Sequence, residues 1–490
     1  MTKDNSSSSC RNNSCSSSYM THLECSRCSH IEDCNNPLLV RYDLERVAKL
    51  LTKEMISSRE ASLWRYRELL PLQDMAYKVS MGEGMSPLWK VNSSSSYPSS
   101  SLHSEAPRAN ANGGSYNNNN SDGSIVSSSS SYLNMTSLWI KDESQMPTGT
   151  FKSRGSSVAI SRAKELGLKT VCLPSNGNAG GAWACYGARA RMNVVLAIPK
   201  DATCMAKEEA MIYGASVYLV DGMITDCGRI INDYVKRENR AGGTSFEVST
   251  LKEPYRVEGK KTMGYEIAEQ LGWQFPDAIV YPTGGGVGII AIYKAFQELL
   301  DLGWVHSPMP KFISIQSNGC SPLKKAFDNG QDRCEVFENA STIAVGMRVP
   351  KSFGDFMIID ICKKTNGGFL TVSDTEILNM YKEFPRREGA FLCLEGAAAM
   401  VGVEKALECN MIGCNDRVIC INTGTGLKTP TIFNHSSIIN QLPILDKKFG
   451  SIDIINDGGD TNKINNNNNN SSNGCHGSSN GNGHNGHGHQ

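Results

Sequence analysis

The sequence lacks the features that mark several classes of protein. Its 490 residues carry 49 lysines and arginines against 49 aspartates and glutamates, so the formal net charge is zero. Nucleic-acid-binding proteins usually have a basic surface, and the balanced charge argues against one. No uninterrupted apolar run approaches the ~18 residues of a membrane-spanning helix, so we expect no membrane span. Residues 1–18 are serine-rich without an apolar segment, which predicts no secretory signal and a cytoplasmic location.

Histidine is scarce where a folded domain is expected. Only His306 and His435 lie between residues 133 and 455, so a Ser-His-Asp triad or a multi-histidine metal centre is poorly supported. Cysteine is abundant, with 17 residues that include Cys172 and Cys420 in apolar segments. Without a secretory signal, these cysteines are predicted to be reduced and mostly buried rather than paired in disulfides.

Tracts of Ser, Asn and Gly divide the chain. Residues 1–20 and 456–490 are predicted to be disordered, because they lack the apolar side chains that offset ordering entropy. Residues 93–132 have the same composition and are predicted to form an exposed low-complexity insertion. The segments that remain are an N-terminal region, 21–92, and a domain over 133–455.

From Leu138 the chain alternates short apolar runs with segments of helical spacing. This alternation predicts right-handed crossovers and a mainly parallel sheet covered by helices on both faces. Ligands bind such folds at the carboxyl ends of strands. The predicted strands are Leu138–Ile140, Val171–Leu173, Val194–Ile198, Val217–Val220, Ala278–Tyr281, Phe312–Ile315 and Val418–Ile421, and the predicted helices include Val158–Leu166, Met205–Tyr213, Gly264–Leu271 and Ile289–Leu300.

The first unusual loop, residues 147–155, contains one lysine between glycines. It places Lys152 at or near a helix N-terminus, where burial and the helix dipole lower the pKa of an ammonium group. A lysine with a lowered pKa is the amine that forms a Schiff base with a carbonyl compound or with pyridoxal phosphate. A surface lysine at a helix start is the alternative interpretation.

The second loop, residues 174–182, follows a predicted strand, and six of its nine residues are Ser, Asn or Gly. Its short donors and free backbone N–H groups suit a carboxylate bound at a helix start. An amide side chain there could also contact a ring hydroxyl. The alternative is an ordinary strand-to-helix turn.

The third loop, Thr283-Gly284-Gly285-Gly286-Val287-Gly288, has four glycines in five positions. Such a backbone can wrap a phosphate group at a helix N-terminus. The Gly-Lys-Ser/Thr of a Walker A loop is missing, and the loop does not open the first strand–helix unit as a dinucleotide fingerprint does. A glycine turn needed only for packing is the alternative.

The fourth loop, Asn422-Thr423-Gly424-Thr425-Gly426-Leu427-Lys428, follows the last predicted strand. A hydroxyl group in this loop could contact a ring nitrogen without protonating it. Taken by itself, the run is equally compatible with a plain turn.

In this order the four loops resemble fold-type II pyridoxal-phosphate enzymes, and within them the threonine synthase family. The resemblance covers about residues 21–92 and 133–430. Further stretches that resemble this family are residues 63–71, 82–88, 141–143, 258–262 and 345–350.

The resemblance implies an α/β fold like that of the tryptophan synthase β chain, with two parallel-sheet subdomains and the cofactor between them. Residues 133–455 would form the pyridoxal-phosphate-dependent catalytic domain, with a smaller subdomain over roughly 140–270. A homodimer that acts on a small amino-acid substrate, without nucleic acid, is expected.

The resemblance also assigns site residues. Lys152 matches the lysine that forms the Schiff base, Asn178 the asparagine at the phenolic oxygen of the cofactor, and Thr423 the residue at the pyridine nitrogen. The loop that cradles the cofactor phosphate matches Gly284, Gly285, Gly286, Val287 and Gly288. The loop that holds the substrate carboxylate matches Ser175, Asn176 and Gly177.

The implied activity converts O-phospho-L-homoserine and water to L-threonine and phosphate. A threonine/serine dehydratase would share the cofactor contacts and is the alternative enzyme, while a non-catalytic binding protein with the same fold is the alternative from another class. The family often has an acidic residue where Ser153 stands, so this position does not separate the two enzymes. Candidates for a cationic pocket around the substrate phosphate are Lys141, Lys260, Lys261 and Arg348.

The N-terminal region resembles half of the zinc ribbon that opens some members of the family. Cys25 and Cys28 form a Cys-x-x-Cys pair, but only Cys34 follows them. A structural zinc site needs four ligands with suitable spacing, so we expect no metal.

Overall fold

The computed structural model describes residues 36–92 and 131–429, together with the backbone of Met20–Cys25. The expected disordered segments, most of the expected insertion, and Cys28 and Cys34 of the half zinc ribbon lie outside the described residues. Ser131 and Tyr132 belong to a 3₁₀ turn with Tyr132 buried, so the described chain resumes just inside the expected insertion. No helix in the described ranges is long and apolar enough to span a membrane.

The strands form two mainly parallel sheets, as the alternation of the sequence predicts for the strand direction, and one antiparallel pair that was not predicted. Each of the seven predicted strands is present, extended by one to three residues. The strands of the described chain are β1 (Met20–Cys25), β2 (Leu38–Tyr42), β3 (Leu88–Lys90), β4 (Leu138–Asp142), β5 (Thr170–Pro174), β6 (Asn193–Pro199), β7 (Ser216–Val220), β8 (Ser245–Glu247), β9 (Ala278–Pro282), β10 (Lys311–Ser317), β11 (Gly368–Val372) and β12 (Val418–Asn422).

The helices cover the sheets, and three of them begin within the first three loops that the sequence singles out. Short 3₁₀ turns occur at Leu63–Leu69, Met75–Tyr77, Ser131–Asn134, Glu143–Gln145, Val345–Met347 and Gly426–Lys428. The α-helices of the described chain are α1 (Leu44–Leu50), α2 (Lys53–Ser57), α3 (Lys152–Glu165), α4 (Asn178–Ala190), α5 (Cys204–Ile212), α6 (Ile224–Arg240), α7 (Tyr255–Gln270), α8 (Val287–Asp301), α9 (Pro322–Asp328), α10 (Asp355–Lys364), α11 (Asp374–Glu388) and α12 (Leu394–Glu408).

The larger sheet has six strands in the order β11-β10-β9-β12-β4-β3. Its strands are parallel except β3, which pairs antiparallel with β4 at one edge. The last strand of the described chain, β12, therefore lies between β4 and β9, and Val418 is in register with both Leu138 and Ala278. This order brings the loops after β4, β9 and β12 to one edge of the sheet.

The smaller sheet has four parallel strands in the order β7-β6-β5-β8. It carries the loop after β5, which leads into α4, and α4 packs against α3. The two parallel sheets confirm the predicted α/β architecture.

A fully buried ionic cluster anchors α3. The Arg154 guanidinium donates to Glu143 (Nε to Oε2, 2.6 Å) and to Glu266 (Nη1 to Oε1, 2.6 Å), and Glu266 also accepts from Lys141 at 2.8 Å. All four side chains have no exposed surface. Burial alone would raise the pKa of Glu266, but Arg154 and Lys141 outweigh it and hold that pKa near 2. The cluster therefore fixes the helix two residues after Lys152.

Candidate active site

Lys152 is the first residue of α3 and lies in a turn that the residues directly after β12 hold in place. The backbone N–H of Phe151 donates to the Thr423 carbonyl at 3.0 Å, and the N–H of Thr425 donates to the Gly149 carbonyl at 2.9 Å. A bridge between Thr150 and Gly424 completes the contact. The first and fourth loops are thus joined through their backbones.

Gly149 owes its identity to this contact. Its φ is +66°, and a Cβ there would approach Thr425 Cγ2 to 3.0 Å. A side chain would combine backbone strain with a clash, so glycine is required for the turn to close.

The environment of the Lys152 amine lowers its pKa below that of an ordinary lysine. The amine lies over the Phe151 ring, 3.9 Å from the centroid. Burial lowers the pKa of Lys152 to about 8, Glu395 opposes this shift, and the positive charge of Arg256 adds to it. At pH 7 about a tenth of an amine with this pKa is unprotonated, far more than for an ordinary lysine, and this fraction can act as a nucleophile or a base.

The glycine loop forms an open cradle of backbone amides before α8. Gly286 has a φ of +75°, and a Cβ on Gly284 would lie 2.3 Å from the Gly346 carbonyl oxygen. Within the described residues, no protein acceptor is recorded for the N–H groups of residues 284–288. Free amides at the start of a 15-residue helix attract an anion such as phosphate.

The Ser-Asn-Gly-Asn loop opens α4, whose first residue is Asn178. Ser175 shapes the loop, because its hydroxyl oxygen accepts from the N–H groups of Gly177 at 3.2 Å and Gly180 at 2.9 Å. Asn176 Oδ1 is buried and has no hydrogen-bond partner among the described residues. This oxygen is available to accept a hydrogen bond from a ligand.

Arg256, at the start of α7, connects the glycine loop with α4. Its Nη1 donates to Thr250 Oγ1 at 3.3 Å, and the methyl group of Thr250 lies where a Cβ on Gly285 would contact it at 3.4 Å. The guanidinium also lies over the Trp183 ring of α4, 5.2 Å from the centroid. Its ion pair with Glu253, 3.1 Å, keeps the charge in place.

Glu395, at the start of α12, connects Lys152 with the glycine loop from the other side. Its carboxylate raises the pKa of Lys152 against the dominant effect of burial and accepts from the N–H of Gly346 at 2.8 Å. The carbonyl of that same residue is the atom that a Cβ on Gly284 would strike. The lysine turn and the glycine loop therefore border one region.

Thr423 is buried beside a thiol. Its Oγ1 lies 3.3 Å from Cys393 Sγ, which also accepts from the N–H of Gly396 at 3.2 Å. Burial raises the pKa of Cys393 to about 12, so the thiol stays neutral. Thr423 therefore offers a neutral hydroxyl group next to the turn that carries Lys152.

The four cations proposed for a substrate phosphate have different surroundings. Lys141 is held by Glu266, and Lys261 lies 2.6 Å from Glu258 and 2.9 Å from Glu298, so both stabilise the fold. Arg348 lies 3.7 Å from Asp201 at the surface. Lys260 is buried beside Lys152, whose positive charge contributes to lowering its pKa.

Sequence reasoning missed Arg256, Glu395 and Cys393. Arg256 lies two residues before the stretch 258–262 that resembles the family, and this proximity is the one signal that could have found it. Glu395 and Cys393 follow no predicted strand, so no strand-to-helix loop of the sequence points to them.

Comparisons with known proteins agree with this geometry. A profile of the family described as pyridoxal-phosphate dependent enzymes matches residues 126–424. Serine racemase from maize has the same fold with a TM-score of 0.51 and 19% identity, over 61% of this chain and 86% of that one. The fold and the profile together define the class: a pyridoxal-phosphate-dependent α/β enzyme.

Relatives of known activity narrow the class. Threonine synthase of Methanocaldococcus jannaschii is 31% identical over 399 residues, which are 81% of this chain and 88% of that protein. Threonine synthase of Methanosarcina acetivorans is 30% identical over 422 residues, 84% of this chain and 93% of that protein. The chain belongs to the threonine synthase family.

The residues present fit pyridoxal phosphate. The free amides of the glycine loop suit its phosphate, the Lys152 amine suits its aldehyde, and the neutral Thr423 hydroxyl suits a ring nitrogen. Close contacts at Gly284 and Gly288, where a Cβ would lie 2.3 Å from the Gly346 oxygen and 1.8 Å from the Tyr281 hydroxyl, explain why side chains do not fill the cradle.

Proposed function

We propose that the protein is a pyridoxal-phosphate-dependent threonine synthase. It converts O-phospho-L-homoserine and water to L-threonine and phosphate: phosphate leaves the γ-carbon, and water adds a hydroxyl group at the β-carbon. The observation that carries the proposal is the junction of residues 149–151 with 423–425, which places a lysine of lowered pKa beside a neutral hydroxyl group.

Each site residue has a role in this proposal. Lys152 would bond the cofactor, Asn178 would contact its phenolic oxygen, and Thr423 would meet its ring nitrogen. The substrate carboxylate lies at the N-terminus of α4, where Ser175 shapes the loop. The remaining residues of the proposed site are the cradle for the cofactor phosphate, Gly284, Gly285, Gly286, Val287 and Gly288, and the loop residues Asn176 and Gly177.

The protein's own contribution is to hold groups and move protons. When bound, pyridoxal phosphate supplies an electrophilic carbon for the substrate amine and a ring that accepts an electron pair. Lys152, with its pKa lowered by burial to about 8, takes protons from the substrate carbons and returns them. Glu395 and Arg256 set its protonation by acting in opposite directions.

Offering the two candidate substrates separately tests the proposal. The purified protein should release inorganic phosphate from O-phospho-L-homoserine and form threonine. Release of 2-oxobutyrate from threonine, without phosphate release from the first substrate, would instead support the threonine/serine dehydratase. The threonine synthase relatives, which match over most of the chain, favour the first outcome.

Substituting Thr423 should change the electronic state of the ring. In Thr423→Asp a carboxylate would keep the ring nitrogen protonated, because an adjacent negative charge raises the pKa of a base. We expect turnover to fall by about tenfold or more, which corresponds to a loss of about 1.4 kcal/mol of transition-state stabilisation, and the visible absorption of the bound cofactor to change. Thr423→Ser keeps the hydroxyl group and should keep most of the activity. An unchanged spectrum in Thr423→Asp would show that this residue does not contact the ring.

The proposal includes two expectations from the sequence, a homodimer and a cytoplasmic location. All eleven cysteines whose side chains are described are free thiols, eight of them buried, which suits a reducing compartment. Sedimentation equilibrium tests the dimer, and fractionation of the source cells tests the location.

A further inference from the structure

Two adjacent lysines of α7 are both buried, but only one is paired. Lys261 lies between the carboxylates of Glu258 and Glu298. Lys260 is 1% exposed. Among the described residues, no carboxylate lies within ion-pair distance of its amine, and no other group accepts a hydrogen bond from it. Because a buried ammonium without a partner is strongly disfavoured, folding alone does not explain Lys260.

The surroundings of Lys260 are those of the active site. Its Nζ lies 5.5 Å from the centroid of the Phe151 ring, which the Lys152 amine also approaches. A Cβ on Gly155 of α3 would come within 2.5 Å of this Nζ, so the amine packs directly on the helix that Lys152 begins.

Three charged groups from the packed elements act on Lys260. Burial holds its pKa well below the ordinary value, Arg256 of α7 and Lys152 of α3 lower it further, and Glu253 before α7 opposes them. Glu253 is already paired with Arg256 at 3.1 Å. Glu395 acts on Lys152 rather than on Lys260. Among the described residues, Arg256 therefore has a counter-ion and the Lys260 amine has none.

We propose that Lys260 is a proton-coupled anion-binding group, which gains a proton when a phosphate monoester dianion binds beside it. A dianion in a site of low dielectric stabilises an adjacent ammonium, so binding draws one proton from solution. The identification of this dianion with the leaving group of the substrate rests on the proposed function. The binding of inorganic anions at Lys260 does not depend on the proposed function.

Two consequences distinguish this role from a structural one. Anion affinity should fall as pH rises, because the proton that accompanies binding becomes scarcer. Replacing Lys260 with the apolar Met should leave the thermal stability of the protein unchanged or raise it, because no ion pair is lost.

Calorimetric titration of the holoenzyme with sulfate and with inorganic phosphate measures the number of protons taken up on anion binding. Sulfate carries no titrating proton near pH 8, so heats compared in two buffers of different ionisation enthalpy report protein groups alone. We expect uptake of about one proton per sulfate in the unaltered protein. In Lys260→Met, uptake should be lost and anion binding should weaken about tenfold or more.

Lys261→Met is the matched control. It removes a neighbouring buried lysine whose carboxylate partners are present, so it should lower thermal stability and leave proton uptake intact. Lys260→Gln keeps a hydrogen-bond donor without the charge and should lose the uptake. Uptake that persists unchanged in Lys260→Met would overturn the proposal.

A second arm identifies which phosphate Lys260 meets. If Lys260 contacts the phosphate of the cofactor, the holoenzyme should take up no proton when it binds sulfate. The full-length apoenzyme should then take up a proton when it binds pyridoxal phosphate and less when it binds pyridoxal. This difference between the two compounds should be lost in Lys260→Met. No Lys260-dependent uptake in either arm rejects the role. Sulfate-linked uptake without phosphate release from O-phospho-L-homoserine would reject the proposed function and keep the anion site.

Discussion

Lys152→Ala is expected to lower turnover by about 10³-fold or more and to abolish covalent attachment of the cofactor. The substitution removes both the amine that bonds the cofactor and the base that moves protons, and a positioned base alone contributes about 10²–10⁴-fold. Borohydride reduction followed by peptide mass spectrometry should place pyridoxal phosphate on Lys152 in the unaltered protein. Label on another lysine, Lys260 included, would contradict the assignment.

Two further experiments separate the chemical role of the Lys152 amine from the effect of its charge. Lys152→Arg keeps the positive charge but supplies no usable amine, so it should be as inactive as Lys152→Ala. Added methylamine should restore part of the activity of Lys152→Ala, because it replaces the missing base. An active Lys152→Arg variant would argue that the lysine only contributes charge.

The lowered pKa of Lys152 gives a pH dependence of known sign. The rate at which apoenzyme binds pyridoxal phosphate should rise with pH around a midpoint of about 8, where the free amine appears. Glu395→Gln removes a charge that raises this pKa and should move the midpoint down, whereas Arg256→Gln removes one that lowers it and should move the midpoint up. Shifts in the same direction in both variants would show that the midpoint belongs to another group.

Arg154→Met is expected to lower the free energy of unfolding by about 3–5 kcal/mol at pH 7.5, as when one partner of a buried ion pair is lost. Glu143 and Glu266 would remain buried with only Lys141 nearby. Cofactor occupancy should fall as well, because the cluster fixes α3 directly behind Lys152. Urea unfolding and the visible absorbance of the purified protein measure the two effects.

The acid dependence of Arg154→Met follows from Glu266. In the unaltered protein the pKa of Glu266 is held near 2, below its unfolded value, so its contribution is present at neutral pH and is lost only as pH falls towards 2. Without Arg154 that pKa rises, and the deficit should shrink as pH falls and the carboxylate takes up a proton. Arg229→Met, at an exposed ion pair with Asp226, should leave the unfolding midpoint nearly unchanged. An equal loss in both variants would mean that the buried cluster does not anchor α3.

The strands were predictable because strands of a covered parallel sheet consist of consecutive apolar residues. The exceptions have physical reasons. The strands that were not predicted are β1, β2, β3, β8 and β11. β3 and β8 have three residues each, too few for a pattern. β1 and β2 form a separate antiparallel pair, and β11 begins with glycine at the edge of the larger sheet. The start of α3 was placed near Val158 instead of Lys152, because its first two turns consist of polar residues, such as Arg154, that are buried by partners on other elements.

The limits at the site have the same origin. The sequence indicates loops that can bind a phosphate or a carboxylate, because glycine and asparagine are local signals. It does not distinguish Lys260 from Lys261, since the carboxylates that pair with Lys261 include Glu298 on another helix. Glu395 and Cys393 likewise gain their roles only when α12 packs beside β12.

The position of β12 has a consequence for the order in which the protein matures. A ribosome makes β4 and β9 long before the strand that separates them, so these two strands have no permanent neighbour on that side while most of the chain emerges. Protection from hydrogen exchange at β12 should therefore appear late during synthesis. Chains that stop before Val418 should expose the unpaired edges of β4 and β9 to chaperones. The turn that orients Lys152 is closed by Thr423, so the lysine reaches its position only after residues 423–425 have been synthesised.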